Sequence, residues 1–261
     1  MLLLEVLLLA VIQGIGEFLP ISSSGHVVVG AALCDQWGHP IREKLALNVA
    51  LHLGTLFSVL LFFRKRLMQV LWEEPRVILL GAWATIPAVV VGVGIKYGAK
   101  NWLESPLLVG FMFLLTGMGL LWTKKLSPAQ QECKQLGFGQ ALVIGCAQAI
   151  AVLPGISRSG ATIVAGLAVG LARSEAAAFS FLLAIPVIAG AGLLEGLEML
   201  HENAHSLPLS YLGLGIFLSF LVGLAALSWL LRWLEQGRLY WFAYWLLAVG
   251  PMVILWQIFF K

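Results

Sequence analysis

The sequence predicts an all-α integral membrane protein: six spanning helices plus two re-entrant helix-loop-helix hairpins, arranged in two inverted-topology repeats. Three observations carry that prediction. Apolar residues fill 60% of the 261 positions and charged residues only 11%, where an ordinary globular domain carries about 25% charged residues. The mean hydropathy is +0.94, and long charge-free stretches recur along the chain. Two similar stretches, each holding one charged residue, a proline and a cluster of serines and glycines, interrupt that pattern. A single membrane domain over 1–261 follows, with repeat 1 at about 1–123 and repeat 2 at about 135–261.

The N-terminal run M-L-L-L-E-V-L-L-L-A lacks the basic start of a cleaved signal and carries Glu5, so it is expected to belong to the mature fold. Between 6 and 34 the only charge is Glu17, and L-P-I-S-S-S-G-H at 19–26 breaks the helix at Pro20. The remaining segments are too unequal for one clean crossing, which predicts the first hairpin. Charge-free stretches at 45–63, 77–95 and 105–123 are long enough to span. Between 135 and 172 the only charge is Arg158, in L-P-G-I-S-R-S-G-A-T at 153–162, and the flanking segments are each short for a crossing. This is the second hairpin. Non-helical backbone at membrane depth is tolerated only when buried in protein or lining a polar cavity. Crossings at 176–194, about 207–231 and 239–260 complete the set.

The two halves resemble each other. L-P-(G)-I-S-x-S-G recurs with one inserted glycine, F-S-V-L-L at 57–61 matches F-S-F-L-L at 179–183, and I-P-A-V-V-V-G-V-G at 86–94 matches I-P-V-I-A-G-A-G at 185–192. Two Gly/Leu/Phe runs end at Trp122 and Trp229, although F-S and I-P lie on separate segments in the first half and share one in the second. Six crossings place Arg64, Lys65, Arg66, Arg76, Lys124, Lys125, Lys134, Arg173, Arg232 and Arg238 on one side, and Arg42, Lys44, Lys96, Lys100 and Lys261 on the other. The richer side is cytoplasmic by the positive-inside rule, with both termini outside. The hairpins then enter from opposite faces and meet near the midplane, bringing Glu17 to Arg158.

An ionisable group at membrane depth marks a functional site by default. Gln13 and Glu17 are one helical turn apart and offer two oxygens to a hard cation such as Mg2+ or Ca2+; the alternative is a hydrogen-bonded polar pair. Ser22, Ser23, Ser24 and His26 add hydroxyls and an imidazole, the parts of a nucleophile and its acid/base partner. Ser157, Arg158, Ser159 and Thr162, with Gly155 and Gly160, form a donor-rich loop suited to phosphate. A Glu17–Arg158 salt bridge alone explains the pair but not the hydroxyls and glycines around it.

The remaining polar residues read more plainly. Cys34, Cys133 and Cys146 have no metal-ligand spacing and are expected to be small packing residues. His52 in A-L-H-L-G-T is expected to be a satisfied packing histidine, and His39, His201 and His205 are loop histidines. Glu195, Glu198 and Glu202 read as an acidic outside connection, and Trp37, Trp72, Trp102, Trp233 and Trp241 as an interfacial belt. Gly92, Gly94, Gly190 and Gly192 are expected to pack helices, within one chain or in a homodimer. A net charge of +3 spread over loops gives no nucleic-acid surface.

Q-G-I-G-E-F-L-P-I-S-S-S-G-H and P-G-I-S-R-S-G-A-T resemble the [E/Q]-x-x-x-E and P-G-x-S-R-S-x-x-T motifs of the undecaprenyl pyrophosphate phosphatase family, also called the bacitracin-resistance family. The similarity runs on through A-L-H-L-G-T-L-F-S-V-L-L-F-F-R and F-S-F-L-L-A-I-P. The resemblance implies a multi-pass enzyme of the bacterial inner membrane, its site facing the periplasm, that converts undecaprenyl pyrophosphate to the monophosphate lipid carrier of cell-wall synthesis. It implies catalytic roles for Glu17, Ser23, His26 and Arg158. Diphosphate binding falls to Ser22, Ser24, Ser157, Ser159, Gly160 and Thr162, and a Mg2+ or Ca2+ site to Gln13 and Glu17, with Gln13 weakening that site relative to a glutamate. Three rivals remain. A transporter or flippase of a phosphorylated prenyl lipid would use the same architecture without cleavage. A purely structural membrane protein would leave Ser23 and His26 without a role, and a type 2 phosphatidic-acid phosphatase is disfavoured because only S-S-G-H at 23–26 echoes its motifs.

Overall fold

The computed structural model describes residues 2–36, 45–98, 105–201 and 208–260. They form eleven α-helices: α1 Leu2–Gly16, α2 Ser23–Gln36, α3 Leu45–Phe62, α4 Arg64–Glu73, α5 Pro75–Gly98, α6 Pro106–Trp122, α7 Phe138–Ile150, α8 Arg158–Ala168, α9 Arg173–His201, α10 Leu209–Glu235 and α11 Trp241–Phe259. Short 3-10 turns lie at Thr123–Lys125 and Cys133–Gln135, and the only extended pairing among the described residues is an isolated bridge between Gln131 and Leu171. Trp37, His39, Arg42, Lys44, Lys100, Trp102, Glu202, His205 and Lys261 lie outside the described residues.

Helices α5, α6, α9, α10 and α11 are each long and apolar enough to cross a membrane. The sixth predicted crossing differs: α3 qualifies only with α4, and the two bend by 68°. The charged start of α4 explains the bend, because Arg64, Lys65 and Arg66 cannot continue into hydrocarbon. With 15 and 13 residues, α1 and α7 are shorter. At ~1.5 Å per residue neither reaches across a hydrocarbon layer of ~30 Å. The outer surface is apolar, with Leu4, Val90, Phe217 and Met252 exposed, as suits lipid contact.

Lipid tails are as apolar as leucine, so close backbone packing rather than the hydrophobic effect holds such helices together. Gly54 of α3 lies against Ser219 and the carbonyl of Ile216 in α10, and Gly145 of α7 lies against the backbone of Ala84 in α5. Gly110 of α6 faces Gly250 of α11. Serines buried between helices are paired with backbone of the neighbouring helix, as where Ser58 donates to the Phe220 carbonyl at 2.8 Å and Ser219 to the Leu51 carbonyl at 3.1 Å. The aromatic centre is built by Phe18, Phe113, Phe179 and Phe181, all buried.

These contacts also fix helix direction. Val6 meets Gly215 and Gly14 meets Val222, so α1 and α10 run parallel; Leu51 meets Gly215 and Ser58 meets Gly223, so α3 runs with them. Arg76 donates to the Leu136 carbonyl and Gly145 meets Ala84, so α7 runs parallel to α5. One end of the bundle gathers the basic residues. Arg66 pairs with Glu74 at 2.8 Å and Glu175 at 3.1 Å, Arg173 donates to the Glu235 carbonyl at 2.9 Å, and Lys124 reaches the Tyr244 hydroxyl at 2.9 Å. Helices α3 and α10 end there, whereas α5 and α7 begin there. Consequently α1 starts at the opposite end from α7, and their following loops meet inside the bundle.

Two expectations need correction. Only Cys133 is a buried packing cysteine; Cys34 is half-buried, and Cys146 is exposed on α7. Burial, with the neighbouring Glu175 carboxylate, pushes the Cys133 thiol well above its ordinary value. Within the chain Gly92, Gly94, Gly190 and Gly192 bring no helices together, since among the described residues a Cβ at any of them would have no atom within 4 Å outside its own helix backbone. Packing within the chain instead uses glycines at helix crossings. Among the tryptophans expected at the interface, Trp72 is exposed, and Trp233 joins Trp229, Trp241 and Phe242 in one aromatic cluster where α10 ends and α11 begins.

Candidate active site

The loop after α1 and the loop after α7 touch, and a helix begins at each contact. Pro20 and Pro154 stop the incoming helices, and Ser22 and Ser157 cap the outgoing ones. The Ser22 hydroxyl accepts the N–H of Gly25 at 3.3 Å, and the Ser157 hydroxyl accepts that of Gly160 at 3.1 Å. Ser22 Oγ also accepts the N–H of Gly155 at 3.1 Å, stitching the first loop to the second. Ser22 adopts a φ of +66°, a region that costs a non-glycine residue about 1–3 kcal/mol and that clusters at functional sites.

Gly155 has a φ of +95°, and a Cβ there would lie 2.6 Å from the Met112 side chain and 2.8 Å from the Val109 carbonyl oxygen. Gly25 lies against it, its own Cβ position 2.8 Å from Gly155 Cα. Thr116, buried in α6, donates to the Gly155 carbonyl at 3.0 Å and accepts the N–H of Ser157 at 3.3 Å. Gly155→Ala is therefore expected to destabilise the protein by about 3 kcal/mol or more, through backbone strain and overlap together. A melting temperature equal to that of the wild type would contradict this account of the loop.

Glu17 and Arg158 form an ion pair across the two loops, with side-chain exposures of 10% and 14%. The other carboxylate oxygen of Glu17 accepts the amide N–H of Gln13 at 3.0 Å. Arg158 is left with Nη1 buried and without a hydrogen-bond partner among the described residues. Beside the pair lies a cavity of about 630 Å3, lined on the loop side by Glu17, Ser22, Ser23, Ser24, Ser157 and Arg158. Across from them α5 contributes Val89 and Gly92, and α9 contributes Pro186 and Gly190. Each of these helices has an interior proline, Pro87 or Pro186, at the matched I-P positions. Interior proline bends a helix, and the open glycines widen the space beyond it.

The structure sorts the predicted residues into wall and support. Ser23 stands in the wall against Gly16, where a Cβ would lie 2.7 Å from that of Ser23, so only glycine lets it sit beside the end of α1. Its hydroxyl is unpaired among the described residues, unlike those of Ser22, Ser157 and Ser159. Gln13, Ser159, Gly160 and Thr162 lie behind the wall. Thr162 donates to the carbonyl of Arg158 at 2.8 Å and pairs with Ser180 at 2.6 Å, and Gly160 lets Pro20 approach. His26 also lies outside the wall: Nδ1 meets the Ser22 carbonyl at 2.8 Å, and Nε2 accepts the Trp245 indole N–H at 3.0 Å.

Two wall residues escaped the sequence reading. His52, expected to be a packing residue, lines the cavity, with its Nδ1 donating to the Asn48 carbonyl at 2.9 Å. Gln148 lines it too, although it is buried. A signal for Gln148 was present in the sequence, because an amide precedes the proline of each loop by about two turns, at Gln13 and at Gln148. The other support residues, Thr116, Ser180 and Trp245, are far along the chain from both loops and carry no such signal.

The wall suits a strongly anionic ligand. The positive ends of α2 and α8, the free nitrogen of Arg158 and the serine hydroxyls all converge on it. Among the described residues no group of three or more His, Cys, Asp or Glu forms a metal cage. One carboxylate at the wall matches the sparse protein ligation that Mg2+ accepts when substrate phosphates complete its shell.

Residues 6–252 match the family described as "Bacitracin resistance protein BacA". An "Undecaprenyl-diphosphatase" of Rhodopirellula baltica is 44% identical over 254 residues, covering 97% of each chain. One of the same name from Desulfatibacillum aliphaticivorans is 41% identical over 276 residues, covering 97% of this chain and 98% of its own. A third, from Halothermothrix orenii, is 39% identical over 254 residues, with 96% of each chain covered.

Proposed function

Since the chain belongs to the bacitracin resistance protein BacA family, we propose that it is a membrane undecaprenyl-diphosphatase acting at the cavity where the two loops meet. The observation that carries this reading is the Glu17–Arg158 pair, with a serine hydroxyl and a guanidinium nitrogen at the same wall that have no partner among the described residues. Undecaprenyl pyrophosphate enters with its diphosphate at the loops. Its prenyl tail lies along the apolar wall of Val89, Val93, Val187 and Leu194 between α5 and α9. The product is undecaprenyl phosphate, the lipid carrier recycled for cell-wall synthesis.

Ser23 Oγ attacks the terminal phosphorus and passes its proton to Glu17. The bond from that phosphorus to the bridging oxygen breaks, and the bridging oxygen leaves with the lipid phosphate. Water then cleaves the phosphoserine and releases inorganic phosphate. Arg158 and the N-termini of α2 and α8 stabilise charge on the transferring group, which is most of what phosphoryl transfer asks of a protein. Ser22, Ser24 and Ser157 bind or orient the diphosphate, while Ser159, Gly160 and Thr162 hold that loop in shape. His26, with both ring nitrogens engaged, holds the Ser22 loop against α11. A Mg2+ or Ca2+ would be held at the wall by Glu17 and the diphosphate, with Gln13 supporting the Glu17 carboxylate from behind, and would offset phosphate charge.

In the bilayer the two short helix pairs are re-entrant hairpins entering from opposite faces, and the chain is two inverted repeats. The opposed directions of α1 and α7 support this, as does the exchange of neighbours by which α1 packs on α10 while α7 packs on α5. With the basic end in the cytoplasm of the bacterial inner membrane, the cavity faces the periplasm. The far ends of α5 and α9, at Val93 and Leu194, support that orientation because they line it.

The test is phosphate release from undecaprenyl pyrophosphate by detergent-purified protein, with and without EDTA. Release that EDTA suppresses and Mg2+ or Ca2+ restores is the expected result. Well-folded protein that releases none with either ion supplied would overturn the reading in favour of a lipid transporter.

A further inference from the structure

We propose that Gln148 is a substrate-binding residue of this site, its side-chain amide donating to the phosphate group that is removed; this rests on the diphosphatase reading above. Gln148 is 1% exposed, and neither its amide nitrogen nor its amide oxygen has a hydrogen-bond partner among the described residues. Burying an amide with both ends unpaired is costly, and native proteins rarely do it without a reason. The reason is visible in its location: Gln148 lines the cavity together with Glu17, Ser23 and Arg158. Arg158 Nη1 is the second buried, unpaired donor at the same cavity. Two such donors in one wall suit an anion.

The position is rigid. One turn earlier Gly145 presses the backbone of α7 onto that of Ala84 in α5, and Ala149 beside it is buried. A preset donor loses little freedom on binding. The chemistry is also apt, because a primary amide offers two N–H donors and one acceptor. The donors suit non-bridging phosphate oxygens, and the acceptor suits the water that follows. A neutral amide supplies this without disturbing the Glu17–Arg158 charge balance. Gln148 thereby becomes the counterpart in repeat 2 of Gln13, which in repeat 1 turns its amide onto Glu17.

The experiment compares wild type with Gln148→Leu and Gln148→Met, assaying phosphate release and thermal stabilisation by inorganic pyrophosphate. Removing a hydrogen bond to a charged partner is expected to lower kcat/KM by roughly 10- to 100-fold. The melting temperature of the unliganded variants is expected to stay level or rise, because an apolar group replaces an unpaired one. The stabilisation by pyrophosphate is expected to shrink in both. Wild-type kcat/KM and an undiminished pyrophosphate shift in either folded variant would overturn the proposal. Should the wild type itself release no phosphate, the diphosphatase reading falls separately, and the pyrophosphate shift still decides for or against Gln148.

Discussion

Arg158→Lys is expected to lower phosphate release from undecaprenyl pyrophosphate by about 10²- to 10³-fold while leaving the protein folded. Lysine keeps the positive charge and can still answer Glu17, so the buried carboxylate is not abandoned. It cannot do two things at once. One guanidinium nitrogen of Arg158 is engaged by Glu17, and the other is buried and free, so the planar fork holds the base and the phosphate together. A single ammonium must choose between them. Arg158→Ala is a poorer probe, because it leaves Glu17 buried without its partner and removal of one member of such a pair costs about 3–5 kcal/mol of stability. Activity of Arg158→Lys within a few-fold of wild type would mean that charge alone suffices at this position.

Ser23→Ala is expected to abolish turnover to a similar or greater extent, by about 10³-fold or more, if Ser23 is the attacking group. The site offers several hydroxyls, but the neighbours of Ser23 are already committed. Ser22 accepts two backbone N–H groups, and Ser157 caps α8 and pairs with Ser159. Ser23 is unpaired among the described residues, lines the cavity and sits against Gly16, next to Glu17. Deleting its oxygen leaves no hydrogen bond broken in the resting protein, so the melting temperature is expected to hold. Near-normal release by Ser23→Ala would assign the attack to water and leave Ser23 as a binding group.

The Glu17–Arg158 contact was legible in the sequence because a lone charge in a long apolar stretch requires a polar partner, and only two such charges exist. The broken helices were legible from Pro20 and Pro154 for the same local reason. The bend between α3 and α4 was hidden, because a charge-free stretch of 45–63 measures length and says nothing of where α4 goes afterwards. Within the loops, residue type alone could not separate wall from support. Serine and threonine serve equally as helix caps and as ligands, and Thr162 turned to Ser180. Trp245 and Thr116 were invisible because their partners lie across the fold. His52 was misjudged since a single imidazole on an apolar helix resembles packing until the cavity beside it is seen. The open glycines were misjudged in the opposite sense: small residues that allow close packing also leave space, and Gly92 and Gly190 leave space.

The most direct test of the site is a structure of the protein with a methylene-bridged, non-hydrolysable analogue of undecaprenyl pyrophosphate. The account predicts the diphosphonate at the N-termini of α2 and α8, within hydrogen-bond reach of Arg158 Nη1 and the Ser23 hydroxyl, and the prenyl chain between α5 and α9. Diphosphonate bound elsewhere, with the Glu17–Arg158 cavity left to solvent, would contradict it.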